Sequence, residues 1–261
     1  MKIKFYGYNT FVIMADDIKL VVDPGCSFSF LDFFRTILPK QEWHDVTHII
    51  VTHGDPDHFW YTDLVAKKSN ASVICNEKMV KLVGDKRLML GPRDRGLAFT
   101  TLISNIKTLG VNETIEVNGV EVTGLKGLHG PLPIKIGPFK KIMTPGPHER
   151  VGFGEMVFKF KLAGKTLVNF GDTYLLEHEW DSLKNADVLM IPIGGYNTMD
   201  TTDAVKAIAN LKPKTVIPCH YNCPALFSKC YNYVDTEPFR IAVEELGVEC
   251  RIMNPNDEIT I

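Results

Sequence analysis

Apolar and polar positions alternate with period two at the start of the chain, where Lys2-Ile3-Lys4-Phe5-Tyr6 reads as a strand. Gly7 interrupts the run, residues 10–14 resume it, and Asp16-Asp17 marks a turn into Lys19-Leu20-Val21-Val22. Asp23-Pro24-Gly25 stops that third run. An antiparallel meander is therefore expected first. Residues 30–38 read as a short apolar helix or a loop. His48-Ile49-Ile50-Val51-Thr52 is a short β-branched run, which predicts a buried strand, and residues 59–67 look helical. Ser72-Val73-Ile74-Cys75 predicts another buried strand, with a short helix from Glu77. Residues 84–105 show no clear period.

Residues 114–117 and 120–124 predict a hairpin across Asn118-Gly119, a dipeptide that accepts the positive φ of a two-residue turn. Residues 126–150 are rich in glycine and proline and read as a long loop, the kind that tends to carry function. A second hairpin is expected from 155–161 and 166–170, turning at Ala163-Gly164. Residues 187–193 form an apolar run ended by Gly194-Gly195. Thr202 can cap a helix whose Val205, Ile208, Ala209 and Leu211 follow helical spacing. A strand over 214–218, a helix over 236–246 stopped by Gly247, and closing strands at 248–253 and 258–261 complete the pattern. Each half opens with β structure and then alternates strand and helix. That predicts an α/β fold of two mixed sheets face to face with helices outside. No linker or repeat interrupts residues 1–261, so a single domain is expected.

Hydrophobic residues make up 45% of the chain and charged residues 23%, enough apolar material for a large core. The net charge of −2 argues against nucleic acid as a partner. No run of about 18 apolar residues suggests a membrane span, and residues 1–14 lack a signal-peptide core, so a cytoplasmic protein is expected. The six cysteines, at 26, 75, 219, 223, 230 and 250, form no CxxC pair and are expected as reduced thiols. Cys219, Cys223 and Cys230 surround His220, where a packed loop is the plainer reading than a metal or redox role.

The strongest chemical signal is His53-Gly54-Asp55-Pro56-Asp57-His58, four metal-ligand types within six residues directly after an apolar strand. Side chains leaving so tight a turn can converge on one point, and divalent cations favour such mixed imidazole and carboxylate sets. His129, Asp172 and His220 follow as separate candidates, the last two just past strands, where sites are usually built.

This order of ligands resembles the metallo-β-lactamase superfamily, whose short motif HxHxDH is followed by a distant His, Asp and His. The resemblance extends over nearly the whole chain. It is similar in particular to the L-ascorbate-6-phosphate lactonase-like branch, through Val22-Asp23-Pro24-Gly25, Asn169-Phe170-Gly171-Asp172-Thr173, Ile191-Pro192-Ile193-Gly194-Gly195 with Met199 following, and Pro218-Cys219-His220-Tyr221-Asn222. The resemblance implies a four-layer αββα sandwich and a metal-dependent hydrolase with two divalent ions, Zn, Mn or Fe. It places His53, Asp55 and His129 on the first ion, Asp57, His58 and His220 on the second, and Asp172 between them. A metal-bound hydroxide would attack an ester or lactone carbonyl of a small, phosphorylated or otherwise anionic molecule, with Asp57 orienting it. Asp23 would accept a hydrogen bond from a ligand histidine, and Thr173 and Asn222 are further candidates for support or for plain turn stabilisation.

One position departs. The family has His where this chain has Asp55, and flavodiiron relatives carry Glu there. A hard oxygen tilts preference from Zn²⁺ toward Mn²⁺ or iron, unless Asp55 does not bind at all. Alternative readings are a phosphodiesterase or nuclease on the same ion pair, a di-iron oxidoreductase, and a sensor with a vestigial site. Substrate contacts are sought in Lys126, Lys135, Lys140, Lys141, His148 and Arg150, with Arg93 and Arg95 beside them, while His44, His48 and His178 are read as structural. A homo-oligomer is compatible with all of this.

Overall fold

Consecutive apolar residues at 11–14 and 20–22 give those strands two apolar faces, so the sheet they start must be covered on both sides. The computed structural model describes residues 1–30, 34–83, 86–89, 101–103, 105–136, 139–145, 151–225 and 230–261. The meander is β1 (Lys2–Gly7), β2 (Thr10–Ala15) and β3 (Ile18–Val22). β4 (His48–Val51), helices α1 (Pro56–Phe59) and α2 (Thr62–Ser69) and β5 (Ser72–Asn76) follow. The helix expected over 59–67 is thus two, broken at Trp60-Tyr61. Three short strands, β6 (Val80–Val83), β7 (Lys86–Met89) and β8 (Thr101–Leu102), form a small separate sheet before β9 (Ile106–Leu109). The described part of 30–38 is not helical. It is held extended by a bridge between Cys26 and Thr36.

The second half opens with the expected hairpin, β10 (Thr114–Val117) and β11 (Val120–Lys126). The stretch expected as a long loop instead contains a hairpin of its own, β12 (Leu132–Ile136) and β13 (Phe139–Met143). Pro133 stands in β12, and with only two strands that sheet is all edge, the setting to which a proline within a strand is confined. Then come β14 (Met156–Leu162), β15 (Lys165–Asn169), β16 (Val188–Pro192), α3 (Thr201–Leu211), β17 (Thr215–Cys219), α4 (Thr236–Glu245), β18 (Glu249–Cys250) and β19 (Glu258–Thr260). The cap of α3 is Asp200, whose side chain accepts from the Asp203 backbone N–H, and not Thr202, which lies inside the helix.

The strands make two seven-stranded mixed sheets, β19-β1-β2-β3-β4-β5-β9 and β10-β11-β14-β15-β16-β17-β18. Three apolar layers account for their stacking. Ile3, Phe11, Ile13, Leu20 and Ile50 of the first sheet pack against Val120, Val122, Phe158, Phe160 and Ile217 of the second. Val12, Val21, Ile49 and Val51 point the other way, onto Phe59 and α2. On the far side, Val168, Leu189 and Val216 meet Ile208 of α3 and Phe239 and Val243 of α4. The result is the αββα sandwich. Each buried aliphatic or phenyl side chain contributes about 1.5–3 kcal/mol. His48 bridges the sheets through Nε2 to the Val117 carbonyl at 2.8 Å, a structural role as expected. None of the described helices is long and apolar enough to cross a membrane.

Glu42 ties β1 to β3 across the outer face of the first sheet. It accepts from Tyr6 at 2.7 Å and from Lys4 at 3.1 Å, and stands 2.8 Å from Lys19. Burial alone would raise its carboxyl, but Lys19, Tyr6 and Lys4 outweigh that and bring it from 4.5 to about 2. A depressed carboxylate stabilises the fold fully above its unfolded value and loses that contribution as pH falls through the folded one. Glu42→Gln should therefore lower stability at neutral pH by about 1–2 kcal/mol, after discounting for partial exposure, with the difference shrinking on acidification toward about pH 2. Urea unfolding of both proteins at neutral and acid pH checks this; a pH-independent difference contradicts it.

Candidate metal centre

Parallel pairing aligns strand ends, and here the carboxyl ends of strands from both sheets meet at one edge. Asp23 leaves β3, and His53, Asp55, Asp57 and His58 follow β4 on the turn into α1. His129 follows β11, Asp172 follows β15 and His220 follows β17. Asp23 and His220 adopt positive φ, 46° and 51°, uncommon for side-chain-bearing residues. Each sits where its chain turns sharply out of a strand. Gly25 lets α1 pack on that turn, since a Cβ there would lie 1.7 Å from the Asp57 carbonyl oxygen.

All seven predicted residues come together, each buried. His129 Nε2 lies 3.3 Å from Asp55 Oδ2, and His53 Nε2 3.6 Å from the same oxygen. Asp57 Oδ2 lies 3.3 Å from His220 Nε2 and 3.6 Å from His58 Nε2. Asp172 reaches both groups: Oδ1 is 3.4 Å from His58 Nε2, and Oδ2 is 3.3 Å from His220 Nε2 and 3.7 Å from His129 Nε2. Three sets of ligand atoms, His53-Asp55-His129, Asp57-His58-His220 and His53-His58-Asp172, each fall within 4.8 Å.

The hydrogen bonds behind the imidazoles orient them. His58 Nδ1 meets Asp23 Oδ2 at 2.7 Å, as expected of Asp23. Thr52 Oγ1 donates to Asp23 Oδ2 at 2.6 Å, which leaves it to accept from His53 Nδ1 at 3.0 Å. His129 Nδ1 donates to the Gly130 carbonyl at 2.6 Å. Three rings are thus held with Nδ1 as the outward donor and Nε2 turned inward. His53 Nε2, His58 Nε2 and Asp172 Oδ1 are buried with no hydrogen-bond partner. Orphaned inward nitrogens beside carboxylates are what a cation fits, so these residues are able to bind metal.

The charges agree. Burial opposes it, yet Asp172, Asp57 and Asp23 hold the His58 imidazole well above its ordinary range. Burial likewise opposes protonation of His129, but Asp172 and Asp55 bring it up to about 10. The Asp55 carboxyl is held below the carboxylate range despite burial, by His129 and His53, and Asp172 by His220 and His58. The cluster demands positive charge.

Three supporting residues were not legible. Asn9 donates to Asp23 Oδ2 at 2.7 Å and pairs with Asn169. Asn197 places Nδ2 3.2 Å from His129 Nε2 and 3.1 Å from Asp172 Oδ2. Gly152 donates its backbone N–H to Asp55 Oδ1 at 2.8 Å. The available signal was a polar residue inside an apolar stretch, which must find a buried partner. Gly152 has φ +60°, and a Cβ there would lie 2.3 Å from His129 Cβ and Cγ. Gly152→Ala should therefore push His129 off its position, weakening cation binding about tenfold or more and costing about 1–3 kcal/mol. Metal titration and thermal melting of the variant check this, and wild-type affinity would refute it.

Other candidates fall outside the cluster. Thr173 Oγ1 accepts from the Leu128 N–H and so braces the His129 loop, while Asn222 bonds the backbone of Val234 and serves its turn. Burial pushes the Cys219 and Cys223 thiols well up, so neither supplies a thiolate. Lys126 pairs with Glu179 at 2.7 Å. Arg93, Arg95, His148, Arg150 and the side chains of Lys135 and Lys140 lie outside the described residues. A cleft of about 900 Å³ lined by Tyr8, Arg35, Lys40 and Cys223 includes none of the seven.

The family model described as Beta-lactamase superfamily domain matches residues 2–220. A UPF0173 metal-dependent hydrolase of Nanoarchaeum equitans is 31% identical over 265 residues, covering all of both chains. Another, from Alkaliphilus metalliredigens, is 30% identical over 85% of this chain and 86% of its own. Among solved structures, Igni18, a metallo hydrolase from Ignicoccus hospitalis, superposes with a TM-score of 0.67 at 16% identity, over 99% of this chain and 97% of that one.

Proposed function

This chain belongs to the UPF0173 metal-dependent hydrolases of the β-lactamase superfamily, and from that premise we propose that it hydrolyses the ester or lactone bond of a small anionic molecule with two divalent ions. The observation that carries this reading is the pair of His/carboxylate sets with Asp172 reaching both. His53, Asp55 and His129 would hold one ion and Asp57, His58 and His220 the other. Bound there, divalent ions polarise the carbonyl and make water nucleophilic near neutral pH. Asp57, beside both His58 and His220, accepts a hydrogen bond from the attacking water and fixes its direction. Burial of the whole set keeps bulk water out and strengthens each charge interaction.

Asp55 supports Mn²⁺ or iron over Zn²⁺, because it puts a hard oxygen beside His53 and His129. The lactonase-like branch remains the substrate guide, through the strand-end segments quoted above. The catalytic unit is read as the whole chain, 1–261, since β19 pairs with β1 and closes the first sheet.

Metal analysis of protein purified without added metal, followed by assay on a lactone panel beside bis-p-nitrophenyl phosphate, tests the proposal. Bound ions and chelator-sensitive lactone turnover are expected. Phosphodiester turnover alone would replace the ester reading with a phosphodiesterase one. Protein that takes up no cation would end both.

A further inference from the structure

Asn197 is the polar group at this site that no step above uses. It stands in a loop closed by the Gly194–Asp200 bridge and by Gly195 N–H to the Met199 carbonyl. Its backbone carbonyl accepts from Gly130 N–H at 2.8 Å, which locks the loop onto the segment that carries His129. The side chain is therefore placed as firmly as the histidines are. It is 5% exposed, and its Oδ1 is buried with no hydrogen-bond partner.

Its amide head lies where a ligand would. Ligand atoms about 2.1 Å from one ion stand about 3.0–3.4 Å from each other, octahedral or tetrahedral. Asn197 Nδ2 is 3.2 Å from His129 Nε2 and 3.1 Å from Asp172 Oδ2, and His129 Nε2 is 3.3 Å from Asp55 Oδ2. An ion held by those neighbours would face the amide hydrogens, which is repulsive. A half-turn about the Cβ–Cγ bond exchanges nitrogen and oxygen at almost no change of shape. It also gives the orphaned Oδ1 a positive partner.

We propose that Asn197 is a further oxygen ligand of the first ion, beside His53, Asp55, His129 and Asp172. The proposal rests on the metal reading above. A neutral amide oxygen added to Asp55 makes this half of the centre oxygen-rich, which favours a hard ion that accepts more than four ligands.

The test uses the full chain stripped of metal, with Mn²⁺ and Zn²⁺ dissociation constants measured by competition with a chromophoric chelator. Asn197→Leu removes the oxygen at nearly constant volume; Asn197→Asp keeps it. Asn197→Leu should weaken Mn²⁺ about tenfold or more and Zn²⁺ clearly less, whereas Asn197→Asp should hold Mn²⁺ within about threefold of wild type. Equal weakening of both ions, or the same loss in Asn197→Asp as in Asn197→Leu, would show that the amide only positions His129 and Asp172. Unchanged affinities in both variants would also overturn the proposal. Wild-type protein that binds neither ion would reject the metal reading itself, a result separate from any variant.

Discussion

Asp172→Ala is expected to abolish tight cation binding in both halves of the proposed centre and to lower hydrolysis by about 10³-fold or more. Its two oxygens serve different groups, Oδ1 facing His58 and Oδ2 facing His220 and His129. Loss of this one side chain therefore removes a ligand on each side. It also removes one of three carboxylates set against four imidazoles. The metal-free chain should lose stability as well. Asp172 is a buried carboxylate that His220 and His58 hold well below the ordinary range, so deleting it leaves those imidazoles without their counter-charge. Metal-to-protein ratios after dialysis, turnover, and melting with and without metal make the check. A variant that keeps two ions and wild-type turnover would contradict the assignment.

Asp23→Ala is expected to produce a second large loss, of a different kind. Asp23 touches no inward-facing atom of the centre. Its carboxylate accepts from Asn9, from the Thr52 backbone and hydroxyl, and from His58, at 2.6–2.8 Å, with no exposure. Removing it leaves four buried donors unpaired, which should cost about 3–5 kcal/mol in stability even without metal. Cation affinity should fall about 10–100-fold as His58 loses the bond that fixes its tautomer. Metal-to-protein ratios separate this from Asp172→Ala, since Asp23→Ala is expected to keep every residue of the three ligand-atom sets. A metal-free Asp23→Ala chain as stable as wild type would remove Asp23 from its supporting role. ¹⁵N spectra of the imidazoles supply an independent readout of the His58 tautomer.

Elements with a clean period were legible in the sequence. The meander, the Asn118-Gly119 hairpin and the buried strands at 48–51 and 72–76 form because alternation or a β-branched run leaves little choice. Errors arose where local signals compete. Gly and Pro between 126 and 150 suggested a loop, yet β12 and β13 form because a two-stranded hairpin tolerates Pro133 at its edge. Thr202 resembles a cap because Asp200 lies two residues further from the apolar periodicity, but it is Asp200 that reaches a free helical N–H. The break between α1 and α2 escaped notice because Trp60 and Tyr61 continue the apolar run.

The seven ligand types could be named from the chain because imidazoles and carboxylates at strand ends are few and chemically distinct. Their supports could not. Asn9, Asn197 and Gly152 are ordinary residues in ordinary loops, 14 to 97 positions along the chain from Asp23, Asp55, His129 and Asp172, which they reach only because two sheets stack with their strand ends aligned. Residue chemistry and periodicity thus determined the fold class and the atoms able to bind a cation. Stacking decided which of those atoms lie together, which nitrogen of His53, His58 and His129 faces inward, and what holds it there. Those are matters of distance and direction, and a linear order of residues carries neither until the chain has closed on itself.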